Sequence, residues 1–236
     1  MIPDLSSVAF SVSTWIFPVL VAVVLHELAH GVVADRMGDP TARLAGRLSL
    51  NPIRHIDPVG TIFLPGFLLL ISSPFMLGWA KPVPVNSRNL PRPRQSMAVV
   101  AAAGPVTNFV LAFMALIALS QISPSLGSQQ LIEWLSTTLW NTVFFNLVLG
   151  VFNLLPIPPL DGGRIVTGLV PESVATRLDR LEPFGMLLLV GGLFLLPFIG
   201  SKIGIDLDGL SQFIMKTVRS ILDLMITVIN AVTLPH

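Results

Sequence analysis

Residues 8–33 read VAFSVSTWIFPVLVAVVLHELAHGVV. An apolar run of this length exceeds the about 20 residues a helix needs to cross the roughly 30 Å hydrocarbon core of a bilayer. Its polar residues gather in two places, Ser and Thr near the start and His26, Glu27 and His30 near the close. Two imidazoles and a carboxylate facing lipid would cost on the order of several kcal/mol, so they are expected to face a polar interior and to mark a functional site.

The rest of the chain reads the same way. Of its 236 residues 53% are apolar and only 11% charged, which makes lipid the main solvent. Further apolar stretches fall at 60–78, 97–120, 139–155 and 184–199, with a more amphipathic one at 210–232 carrying Lys216, Arg219 and Asp223. The expected fold is therefore an all-α polytopic membrane protein of about five to six transmembrane helices. It is expected to form one membrane-embedded domain over 1–236, with a core at about 8–164 and C-terminal helices at about 184–232. A net charge of +1 gives no pull towards nucleic acid. With no cysteine, any metal must be held by His, Asp or Glu. No Lys or Arg precedes Arg36, so the first run lacks the basic start of a signal peptide and is expected to be retained.

Basic residues set the expected topology. Segments 35–58, 79–96 and 161–183 carry Arg36, Arg43, Arg47 and Arg54, then Lys81, Arg88, Arg92 and Arg94, then Arg164, Arg177 and Arg180, whereas 121–138 carries none. Positive residues mark the cytoplasmic side, which puts the N-terminus outside and makes the first helix and 139–155 run in the same direction. A single crossing at 60–78 would separate two basic segments, so, with one ordinary crossing as the alternative, a re-entrant or folded-back segment is expected there. Pro65, Gly66 and Ser72-Ser73-Pro74 would help it turn.

His26-Glu27-Leu28-Ala29-His30 is an H-E-x-x-H sequence, which places both imidazoles on one helical face, one turn apart. That spacing suits one Zn²⁺, with Glu27 able to take a proton from metal-activated water. A catalytic zinc needs a third ligand. Asp161 is the expected one, at the end of the fourth helix in Asn153-Leu-Leu-Pro-Ile-Pro-Pro-Leu-Asp-Gly-Gly163, with Gly162 and Gly163 giving the backbone freedom to turn. Asn153, about two turns earlier, is a candidate for substrate contact or oxyanion stabilisation. In Trp79–Asn86, Pro82 and Pro84 lack N–H groups on one edge while residues 81, 83 and 85 keep theirs. Val83 and Val85 are thus read as part of a short β-strand or loop that adds an extended substrate, or else as a rigid proline-rich loop. Asn108 either orients substrate or joins helices, and His55 with Asp57 serves a loop or stands behind the metal ligands.

These motifs resemble the site-2 protease family of intramembrane metalloproteases, in its compact form without PDZ or CBS domains. The resemblance runs from the first helix to about residue 164 and includes Asn51–Pro58, Gly78–Asn86 and Ala103-Gly-Pro-Val-Thr-Asn108. It implies one zinc per chain held by His26, His30 and Asp161, Glu27 as catalytic base, and Asn153 at the substrate. It further implies cleavage of a transmembrane protein substrate by zinc-activated water, in a multi-pass protein of the cell membrane; the charge pattern puts the active site near the cytoplasmic face. A homo-oligomer is left open. The rival reading is a metal-ion transporter or channel that passes an ion along the same His, Glu and Asp side chains.

Overall fold

The computed structural model describes residues 4–63, 67, 70, 78 and 80–233. The first apolar run forms a single helix, α1 (Leu5–Arg36), interrupted in sequence only by Pro18 and about 48 Å long at 1.5 Å per residue. Helix α2 (Pro93–Ser120) opens on Pro93, whose missing N–H is one that no helix could pair at that position. Helix α3 (Gln129–Asn153) is capped by Ser128, which accepts the Leu131 N–H. Helices α4 (Asp161–Leu169) and α5 (Glu172–Asp179) are short. Helix α6 (Glu182–Ile203) contains a π-helical stretch at Gly191–Leu195 and stops at Gly204, whose φ of 72° is left-handed. The last is α7 (Gly209–Thr233).

Four of these, α1, α2, α3 and α6, are long and apolar enough to cross a membrane. They contain the stretches expected at 8–33, 97–120 and 184–199 and all but the last two residues of 139–155. Helix α7 covers the amphipathic stretch 210–232. The re-entrant segment expected at 60–78 lies mostly outside the described residues, beyond a π-helical turn at Pro58–Phe63. No strand occurs among the described residues. Residues 80–86 carry no regular secondary structure, which is the loop form of the expected strand or loop. Helix α3 also begins ten residues before the expected 139, because the Ser128 cap starts it within a segment too polar to show as a span.

Helices α2 and α3 bury 44% of their most apolar windows, against 22% for α1 and 17% for α6, so α2 and α3 are the interior pair. Small residues on α2, among them Ala101, Gly104, Ala112 and Ala115, allow neighbours to approach closely. The core joins Ala112 and Leu116 of α2, Val143, Leu147 and Val151 of α3, Leu189 of α6 and Val218 of α7. Large side chains such as Phe17, Leu187 and Phe198 face outward, as lipid permits.

Polar bonds fix how α1 lies against α3. Trp134 Nε1 donates to Ser13 Oγ at 3.0 Å and Asn141 Nδ2 to the Thr14 carbonyl at 3.2 Å. Asn146 then lies level with His26, one amide away. Residue numbers rise together along both helices, so they run parallel, as the charge pattern requires.

Helix α4 is seated on α2 at Gly168. A methyl group there would lie 2.5 Å from Ala98 Cβ and 2.7 Å from the Arg94 carbonyl oxygen. Arg94 Nη2 also donates to the carbonyls of Thr167 and Val170. Gly168→Ala should therefore destabilise the fold by about 1–3 kcal/mol. Thermal unfolding in detergent measures this, and an unchanged midpoint would mean that the two helices part without cost.

Candidate metal centre and active site

His26 and His30 lie on the inner face of α1, with the residues of α2 at positions 100, 104 and 108 stacked against them at four-residue spacing. A Cβ on Gly104 would come within 2.5 Å of His26 Cε1 and of His30 Nε2, so only glycine lets the two helices meet here. His30 Nδ1 donates to the Val100 carbonyl at 2.7 Å. His26 Nδ1 donates to Asn108 Oδ1 at 2.6 Å. The amide is oriented by its other end, because Asn108 Nδ2 donates to Asn146 Oδ1 at 2.8 Å and towards the Ala22 carbonyl at 3.4 Å. Asn146 is oriented in turn by donating to the Thr142 carbonyl at 2.9 Å. Both imidazoles thus carry their proton on Nδ1 and present a bare Nε2 lone pair.

Those two atoms are 3.0 Å apart, and Asp161 Oδ2 lies 3.1 Å from one and 3.3 Å from the other. Asp161 Oδ2 is buried and has no hydrogen-bond partner among the described residues. Three acceptor atoms crowded together repel unless a cation lies between them. A tetrahedral metal with bonds of about 2.0–2.1 Å places neighbouring donors about 3.3 Å apart, so the spacing suits such an ion. Among the described residues these three side chains form the group able to hold a metal.

The backbone delivers Asp161 in a different way from the sequence reading. Helix α3 stops at Asn153, and Asp161 opens a new helix instead of ending the fourth one. Gly162 and Gly163 are both helical, so flexibility is not their role. A Cβ on Gly162 would sit 2.3 Å from the Leu154 carbonyl oxygen, and one on Gly163 2.5 Å from Pro158 N. Their smallness lets α4 nest under the 154–160 loop and carries the carboxylate to the imidazoles.

Glu27 lines the same cavity, and its Oε2 accepts the Val83 N–H at 2.8 Å. The segment that supplies this donor is held at several points. Lys81 N–H donates to the His55 carbonyl at 2.9 Å, Arg47 Nη2 to the Lys81 carbonyl at 2.8 Å, and Asn86 N–H to Asp39 Oδ2 at 2.6 Å. Two of the three N–H groups expected to form an open edge are therefore already engaged, which corrects the reading of 81, 83 and 85 as free donors. Val83 and Val85 do line the cavity that holds His26, His30 and Asp161. So does Asn153, whose Nδ2 donates back to the Leu149 carbonyl at 3.0 Å. Asn108 is fully buried and lines neither this cavity nor the apolar one beside it, so its place is between helices and behind His26. His55 is bonded to the Ser49 carbonyl at 2.8 Å, which fits a loop role.

Sequence reasoning missed Asn146 and Gly104. The first was recoverable, being an amide in an apolar helix two turns before Asn153. Gly104 sits one turn before Asn108, but nothing in the sequence says that the imidazoles fill the space it leaves.

The sequence profile of peptidase family M50 matches residues 14–131 and 121–198. YwhC of Bacillus subtilis, provisionally named a zinc metalloprotease, is 41% identical over 177 residues, covering 73% of this chain and 76% of its own length. Rip2 of Mycobacterium tuberculosis, provisionally named likewise, is 30% identical over 203 residues, covering 82% and 73%. The zinc metalloprotease MJ0392 of Methanocaldococcus jannaschii is 26% identical over 153 residues, covering 65% of this chain and 33% of its own. No solved structure matches the chain.

The Asn108 anchor gives a measurable expectation. Asn108→Leu leaves His26 Nδ1 unpaired and should weaken zinc binding about 10–100-fold in chelator competition. Undiminished affinity would assign Asn108 to helix joining alone.

Proposed function

The chain belongs to peptidase family M50, the site-2 protease family, and on that premise we propose that it cuts transmembrane segments of other membrane proteins, with His26, His30 and Asp161 holding one Zn²⁺ and Glu27 managing the proton. The chain is a zinc metalloprotease and a multi-pass membrane protein, which sets aside the transporter reading. One observation carries the finer reading: three bare acceptor atoms converge beside the Glu27 carboxylate, within a bundle of helices long enough to span a bilayer.

Zinc bound there supplies a Lewis acid that polarises the scissile carbonyl and lowers the pKa of water. The remaining work belongs to the side chains. Glu27 takes the proton from the attacking water and passes it to the departing amine. The Val83 N–H holds one carboxylate oxygen in place, so the carboxylate needs little reorganisation during transfer. Asn153 lines the cavity, which supports its contact with the substrate main chain in this reading. Val83 and Val85 contact the substrate through their side chains in this reading. A catalytic core of about 8–164 contains every one of these groups, and 184–232 adds the C-terminal helices. The basic segments support a cell-membrane protein whose N-terminus is outside and whose site lies near the cytoplasmic face.

Glu27→Gln should retain zinc and lower cleavage of a model transmembrane peptide by about 100-fold or more. A variant that still cuts at the wild-type rate would remove Glu27 from the chemistry. Val83→Pro deletes the N–H on Glu27, and the expected result is a lower kcat at unchanged zinc content. Equal turnover would show that the carboxylate needs no such support.

A further inference from the structure

Beside the metal cavity lies a second cavity of about 280 Å³. The two share His26, Glu27, Asn153 and Leu160, so they meet at the reacting groups. Beyond that junction the second cavity is walled by Phe145, Leu149 and Phe152 of α3 and by Met186, Leu189 and Leu193 of α6. The α6 residues fall at i, i+3 and i+7, one face of the helix. Leu189 on this face is buried and Leu193 half-buried while Met186 is exposed, on the helix with the smallest buried share of the four candidate spans.

We propose that this cavity is the subsite for one large apolar side chain of the substrate, on a residue flanking the scissile bond. The assignment rests on the intramembrane-peptidase reading above and adds the side-chain class that the site selects. Three features support it. A peptide bond placed at the metal group and Glu27 has its neighbouring side chain at the shared rim. Among the described residues, the side chains walling it away from the rim are apolar, so a charged or amide side chain entering there loses its hydration without a side-chain partner among them. Size sets the class: an apolar cavity of about 150 Å³ is enough to take up benzene, so this one has room for a Leu, Met or Phe side chain and is left underfilled by Ala.

The test uses the full-length zinc-loaded protein in detergent and a model transmembrane peptide whose cleaved bond has been located by mass spectrometry. Each residue flanking that bond is replaced in turn by Ala, Leu, Phe and Asp. At one of the two positions Leu and Phe should be cut with kcat/KM about 10–200-fold above Ala, with Asp below Ala. Leu193→Trp fills the cavity and should collapse the preference for Phe, whereas Leu193→Ala should extend it to Trp. Zinc content of each variant checks folding. A readout free of turnover uses Glu27→Gln and an uncut peptide bearing a benzophenone side chain at the preferred position, which should crosslink to residues 145–152 or 186–194. Cleavage that ignores side-chain size at both positions, or crosslinks confined elsewhere, overturns the subsite while leaving the peptidase reading intact. Failure of the zinc-loaded protein to cut any peptide overturns that reading, and the subsite with it.

Discussion

The site depends on hydrogen bonds made on the side of each imidazole away from the metal. The Val100 carbonyl and the Asn108 amide occupy the two Nδ1 atoms, and this forces both Nε2 lone pairs towards Asp161. A histidine free to change tautomer would present a proton there as often as a lone pair. The arrangement is therefore set by helix α2, which supplies no ligand of its own, and by Asn146 on α3, which keeps the Asn108 amide from flipping.

Helix α2 organises the fold in the same way that it organises the site. Its small residues bring α1 and α3 close, Gly168 of α4 rests directly on it, and α4 begins with Asp161. Steric fit at glycine positions thus reaches the metal group through rigid helices. Outside the α1–α4 cluster, α7 packs on α3 and on the π-helical stretch of α6, Leu189 of α6 joins the shared core, and both helices contribute walls instead of ligating atoms.

Much of this was legible in the sequence. Hydropathy and length exposed the four long apolar helices, and charge asymmetry gave the shared direction of α1 and α3. The H-E-x-x-H spacing singled out His26, Glu27 and His30, and the Asn153–Gly163 motif brought Asp161 to attention, because helical periodicity and costly buried polarity leave a mark on residue order. Close approach leaves none. The need for glycine at 104, 162 and 163 arises from distant parts of the chain, and sequence reasoning credited 162 and 163 with flexibility when their role is room. The Val83 N–H likewise looked like an open donor, since nothing local shows that a carboxylate on another helix takes it.

The order of the donors along the chain also bears on biogenesis. His26 and His30 enter the membrane with the first helix, whereas Asp161 follows only after α2 and α3 have been made. A nascent chain holding the first helix alone has two imidazoles without the α2 groups that orient them and without the closing carboxylate. On the proposed assignment of Asp161, hydrolytic competence waits for translation to pass residue 161, and an incomplete product stalled earlier in the translocation machinery is inert towards the proteins around it.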